Sequence, residues 1–246
     1  MLTNDSLRSV GGRAEAVTRR RLLQMAGIAA IAAQDVPGAS GSVLWSPVMP
    51  ATSSRHIRRA ILVPRFGGDV TSDWYPTALP QLGNLGIRTQ VVAPLPEPTA
   101  PGIDETVAAI AKAVGDDAHD IGQTILIGHS VGSRALLAYL SRHGAHGTFA
   151  GLVSVAGWFT VDDVVSYPAL APWVNMELDF ASIASAAGPI NVLLSDNDPF
   201  TANWRATATH WLEKLGATVH IVHGAGHYMT TSPGPVIDTI RVASYR

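Results

Sequence analysis

Ser130 stands between two glycines in Gly128-His129-Ser130-Val131-Gly132, where the apolar run "TILI" ends and the helix-like run "VGSRALLAYLSRH" begins. A serine on a sharp strand-to-helix turn has its hydroxyl lifted clear of a sheet, ready to attack a carbonyl carbon. Small residues two places before and after it let strand and helix approach without a Cβ clash. The amino end of the following helix favours developing negative charge. As five letters the motif also describes an ordinary tight turn. Its place between an apolar strand and a helix makes it a candidate nucleophile elbow.

A serine hydroxyl is a weak nucleophile at neutral pH and requires a base. The chain has nine histidines. His56 precedes the first strand-like run, His119 is in a polar loop, and His143 and His146 follow a helix end. His210 is on a helix and His220 inside a strand, while His129 would point away from its neighbour Ser130. His223 and His227 remain, in "HIVHGAGHYMT" after the last strand-like run, where Gly224 and Gly226 let a loop reach back over the sheet. We take His227 as the base, with His223 as the second choice. The chain order Ser, Asp, His agrees with this choice.

The base in turn needs a carboxylate to fix its tautomer and stabilise the imidazolium. "LLSDNDPF" offers Asp196 and Asp198. Asp198 lies further past the strand, and Pro199 restricts it to an extended backbone that can project the carboxylate. Asp196 could instead bond the amides of the turn. Acyl transfer also needs amide donors for the oxyanion. The N–H of Val131, directly after the serine, is one candidate. The N–H of Phe66, in "VPRFGGDVTSDWYP" after the first strand, is the other, with Gly67 and Gly68 giving the backbone freedom to turn.

Candidate pocket residues follow from position. Between 157 and 188 lie Trp158, Phe159, Tyr167, Trp173 and Phe180, after a strand end and so near Ser130. They could wall a pocket for an apolar acyl or aryl group, or fill core beneath a helix. Trp74 and Tyr75, beside the presumed oxyanion loop, read as packing. "HGAH" at 143–146 spaces two histidines by three but has no further ligands, so no metal is expected. No phosphate-binding or dinucleotide fingerprint occurs, so no cofactor is expected.

The elements that must position these groups alternate along the chain. Strand-like runs fall at 60–63, 89–93, 124–128, 151–157, 190–195 and 218–222, with helix-like stretches at 74–86, 103–114, 131–143, 203–215 and 235–243. Prolines 94, 96, 98 and 101 force a loop. Short, uniformly apolar strands each followed by a helix predict a mostly parallel α/β sheet covered on both faces. Ligands bind such sheets at the carboxyl ends of the strands, where every candidate above falls.

Composition narrows the function classes. The 246 residues are 47% hydrophobic and 15% charged, which suits a large buried core. A net charge of −2 gives no nucleic-acid footprint. The absence of cysteine excludes disulfides, thiolate metal sites and a cysteine nucleophile. No apolar stretch has the length of an integral membrane segment. Residues 1–55 read as an arm and linker ahead of a domain at 56–246. "TRRRLLQMAGIAAIAAQ" at 18–34 has the form of a twin-arginine export signal, and an alanine-rich arm is the alternative. A start at Met49 is a further alternative, and without export the protein would be cytoplasmic.

Together, "ILVPRFGGDVTSDWYP", "TILIGHSVGSRALLAYL", "LVSVAGWF", "SDNDPF" and "GAGHY" resemble the α/β-hydrolase superfamily. More narrowly they resemble its retinoblastoma-binding-protein-type serine hydrolases. The resemblance runs from about residue 60 to 243 and implies an α/β-hydrolase fold with a minimal cap. It also implies a Ser130–Asp198–His227 triad and an activity on small acyl substrates. Arg65 departs from the pattern, which has glycine after the proline; it could narrow the oxyanion loop or add a cation to the acyl pocket, and so bears on the Phe66 assignment. The expected function is cleavage of ester or related acyl bonds through an acyl-enzyme on Ser130. Thioesterase or acyltransferase activity, or a non-catalytic binding protein on the same fold, are the alternatives.

Overall fold

The computed structural model describes residues 56–92, 102–162 and 166–244. The arm at 1–55 with its export-like signal and the prolines at 94, 96, 98 and 101 lie outside the described residues.

Among the described residues six strands form one parallel sheet in the order β2-β1-β3-β4-β5-β6. They are β1 Arg59–Val63, β2 Arg88–Val91, β3 Thr124–His129, β4 Gly151–Val155, β5 Ile190–Ser195 and β6 Thr218–Val222. β1, β3, β4 and β5 are buried on both faces, which is why they read as unbroken apolar runs rather than alternating ones. The edges β2 and β6 are only partly buried.

Period-two alternation divides the core into two layers. Ile61, Val63, Leu126, Leu152, Val192 and Leu194 point to one face. There they meet α2 (Ile103–Val114), α4 (Val131–His143), α6 (Phe180–Ala186) and α7 (Trp204–Leu215). Leu62, Ile125, Ile127, Val153 and Leu193 point to the other, against α1 (Tyr75–Asn84) and α8 (Gly234–Ser244). Helix ends follow the local chemistry. Asn203 caps α7 by accepting from the Ala206 N–H, and Gly216 ends it in the left-handed region at φ 60°. Asp104 and Glu105 occupy the first turn of α2.

The sequence reading leaves out three short helices: α3 (Ala118–Gly122), α5 (Ala171–Asn175) and α6. α3 and α5 are five residues each, too short for an amphipathic repeat to declare itself, and α6 is an alanine- and serine-rich stretch. The connection from β4 to β5 holds α5 and α6 and builds no separate cap domain among the described residues. No helix among the described residues is long and apolar enough to cross a membrane.

Strand order reverses direction around β1, whose neighbours β2 and β3 run outward on opposite sides. The crevice at the carboxyl ends of β1 and β3 is the binding position this topology creates.

Candidate active site

Ser130 sits between β3 and α4 with φ 55° and ψ −122°, a backbone conformation that L-residues adopt only under constraint. The constraint is visible on both sides. A Cβ at Gly132 would lie 2.2 Å from the Val63 carbonyl oxygen and 2.5 Å from that of Pro64. One at Gly128 would lie 2.6 Å from Ser133 Cα. The two glycines therefore let α4 press against the ends of β3 and β1, and the serine between them takes up the bend. Its N–H donates to the Val155 carbonyl at 2.8 Å, and its Oγ accepts the indole N–H of Trp158 at 3.2 Å.

His227 Nδ1 lies 2.7 Å from Asp198 Oδ2, with both side chains almost wholly buried. Facing a carboxylate, Nδ1 carries the proton, which leaves the Nε2 lone pair to act as a base. The other Asp198 oxygen accepts the Phe200 N–H at 2.9 Å. The neighbouring residues of the same turn hold the histidine loop in step. Asp196 binds the His223 Nδ1 at 2.7 Å and the Gly224 N–H at 2.9 Å, and Asn197 Oδ1 accepts the Gly226 N–H at 2.7 Å. Three successive side chains thus grip three successive parts of the loop. The Asp196–His223 pair is the solvent-facing one: His223 is 87% exposed, against 6% for His227.

His129 turns away from Ser130 and becomes the centre of a buried chain. Its Nε2 faces the His227 carbonyl at 2.9 Å; a carbonyl only accepts, so Nε2 is the protonated nitrogen. Its Nδ1 then accepts from the Tyr75 hydroxyl at 2.8 Å, and that hydroxyl accepts the Arg65 N–H at 3.1 Å. Full burial, helped by the neighbouring His227 and Arg65, lowers the His129 pKa to about 3, so the ring stays neutral. The chain ties the loop after β1 to the loop that carries His227. Tyr75 and His129 are the residues that sequence reasoning missed in this role. No local pattern marks them, because their partners are 54 and 98 residues away.

The loop after β1 turns at Arg65–Gly68, closed by the Gly68 N–H on the Arg65 carbonyl at 3.0 Å, with Gly67 at φ 65°. Arg65 grips Asp73 through Nε at 2.6 Å and Nη2 at 3.2 Å, and its Nη1 donates to the Phe66 carbonyl at 2.9 Å. This arginine therefore stands in an ion pair and braces the loop, rather than offering an uncompensated cation to a substrate.

The residues 60–233 match the family model described as Serine hydrolase. The chain belongs to the serine hydrolase family. Among solved structures, this serine hydrolase is similar to the ydeN gene product of B. subtilis, at 18% identity and a TM-score of 0.66, over 77% of this chain and 100% of that one. It is also similar to the carboxylesterase CesB of Bacillus subtilis, at 14% identity and a TM-score of 0.53, over 77% and 83% of the two chains. The RedJ thioesterase of the prodiginine pathway of Streptomyces coelicolor matches at 14% identity and a TM-score of 0.51, over 75% and 85%. These likenesses identify the α/β-hydrolase fold. A search of curated proteins gives no match.

In this serine hydrolase Ser130 and His227 open onto one cavity of about 120 Å³, with Arg65 and Phe66 at its edge. Trp158, Val161, Tyr167, Leu170, Phe200 and Met229 complete its largely apolar wall. Val131 is buried at the amino end of α4, directly after the serine. Three expected wall residues, Phe159, Trp173 and Phe180, are not among those that line this cavity. Phe159 packs against Trp211 at 5.0 Å between ring centres and Phe180 at 6.1 Å, away from Ser130. Trp173 is wholly buried in the core under α4. Trp158 and Phe159 lie past the end of β4, after a turn with Ala156 at φ 48°, and reach different surroundings, while Trp173 on α5 is buried. Among the described residues no cluster of three or more His, Asp or Glu could hold a metal.

Proposed function

We propose that this serine hydrolase cleaves carboxylic esters of small apolar acids through an acyl-enzyme on Ser130. The observation that carries the reading is a strained serine and a carboxylate-paired histidine sharing the rim of one apolar cavity. Ser130 Oγ attacks the carbonyl carbon as its proton passes to His227 Nε2, while Asp198 holds Nδ1–H and stabilises the imidazolium. Trp158 donates to Oγ and leaves the serine hydroxyl proton available for transfer to the base. The amides of Phe66 and Val131 receive the oxyanion. His227 then returns the proton to the leaving alkoxide, and a water deprotonated by the same nitrogen releases the acid.

The likeness noted in the sequence supports assignment to the retinoblastoma-binding-protein-type branch, with residues 56–246 proposed as the catalytic domain. Thioester hydrolysis and acyl transfer would run through the same acyl-enzyme. Partitioning between water and an added alcohol or amine distinguishes them. The primary test is a panel of p-nitrophenyl esters of graded chain length with the native chain and Ser130→Ala, alongside labelling by a fluorophosphonate. We expect turnover of the shorter esters and covalent labelling at Ser130. Loss of both in Ser130→Ala, by a factor of about 10⁴ to 10⁶ in kcat, follows from removing a triad member. A protein that is folded, unlabelled and inactive on every ester would be a binding protein on this fold.

A further inference from the structure

Arg134 lies one turn beyond Ser130 on α4 and is 2% exposed. Its Nε and Nη2 donate to the Trp173 carbonyl at 3.1 and 2.7 Å, capping the carboxyl end of α5. The guanidinium carbon sits 5.8 Å from the Trp158 ring centre and 5.2 Å from that of Phe159. These contacts hold the group in place but leave its charge without a carboxylate among the described residues. Nη1 is buried and has no hydrogen-bond partner there. Burial lowers its pKa to about 10, so it remains a cation at neutral pH. A buried cation with no counter-charge is expensive to keep unless something supplies one.

Arg134 also lines a cavity of about 530 Å³, which it shares with Phe159. Lys214, with Nζ 4.8 Å from the Phe180 ring centre, and His210, 5.6 Å from that of Phe159, share its wall. Glu177 is the carboxylate of that wall, so Arg134, Lys214 and Glu177 together give it a net charge of +1. Phe159, Val174, Met176, Leu178 and Phe180 supply the apolar part. A cavity with one uncompensated positive charge and an aromatic floor suits a monoanion with an apolar body, and a guanidinium suits a carboxylate.

We propose that this cavity is a second ligand site, which takes a carboxylate-bearing apolar molecule with its head on Arg134 and Lys214 and its body against Phe159 and Phe180. The site is independent of the reaction proposed at Ser130.

The test is calorimetric titration of the full chain with octanoate and with octanol, the uncharged molecule of the same length. Octanoate is expected to bind saturably, and octanol at least tenfold more weakly. Arg134→Met should weaken octanoate at least tenfold. Lys214→Glu, at an exposed position outside the core, should weaken it at least threefold and keeps the test decisive if Arg134→Met does not fold. Absence of saturable octanoate binding overturns the proposal. So does binding that Lys214→Glu leaves unchanged, since the carboxylate would then sit elsewhere, such as beside Ser130.

Discussion

Replacing Tyr75 by Phe removes one oxygen from a ring that is wholly buried, so no cavity of consequence opens. Two partners are left behind. His129 Nδ1 loses its donor and the Arg65 N–H loses its acceptor. His129 cannot relieve this by moving its proton, because Nε2 must donate to the His227 carbonyl. The stranded His129 nitrogen is fully buried and costs about 1–3 kcal/mol, and the part-buried Arg65 N–H adds about 1 kcal/mol at most, so we expect a loss of about 2–4 kcal/mol. For a domain of this size that lowers Tm by about 5–15 °C. Because the chain joins the Arg65–Phe66 loop to the His227 loop, catalysis should suffer even in the folded protein. Misplacement of reacting groups by an ångström costs up to about 100-fold, so kcat on a p-nitrophenyl ester should fall about 10- to 100-fold with little change in KM. His129→Gln, whose amide can donate to one partner and accept from the other, should retain more activity than His129→Leu. The assays are thermal denaturation by circular dichroism and steady-state hydrolysis well below the transition. A Tyr75→Phe protein with unchanged Tm and kcat, or equal activity in His129→Gln and His129→Leu, would refute the positioning role.

Three further outcomes follow from the same geometry. Asp198→Asn should lower kcat by about 10⁴-fold, because the amide favours the wrong histidine tautomer, while Asp196→Asn, whose pair faces solvent, should leave kcat within a few fold; steady-state kinetics of the two variants separates them. The lowered pKa of His129 makes the unfolded chain bind the extra proton between about 3 and the ordinary value of 6.5, so its contribution to stability is complete above 6.5 and is lost as pH falls toward 3. Denaturation midpoints measured across this range should show a slope approaching about 1.4 kcal/mol per pH unit from this group, reduced in His129→Gln. Gly132→Ala would drive a methyl group into the Val63 and Pro64 carbonyls and should cost about 3 kcal/mol or more, whereas Gly115→Ala meets no neighbouring atom, pays only for its backbone angle, and should cost less; urea denaturation compares them.

The strands and long helices were legible in the residues because each is set by local apolar runs and their punctuation. "TILIG" and "INVLLS" are buried on both faces, so no alternation was needed to find them, and the glycines around Ser130 announced the tight turn between β3 and α4. The choice of His227 and Asp198 as candidates rested on chain order and position after a strand. The distance of 2.7 Å between them exists only because β5 and β6 lie side by side.

What the tertiary structure alone decided is where side chains of similar composition point. Trp158 and Phe159 are neighbours in the chain, yet one reaches Ser130 and the other lines a different cavity. Arg65 read as a cation near the site, and Asp73, eight residues on, neutralises it. Tyr75 read as packing, and His129 as a residue turned away from the serine. Both descriptions hold, but they omit the hydrogen-bonded chain that joins the loop after β1 to the loop that carries His227. Residue type and spacing determine which segments bury their backbone and where the chain must turn. Partners separated by 54 or 98 residues are set by sheet order and by which elements pack on which face. That information lies in no single stretch of the chain.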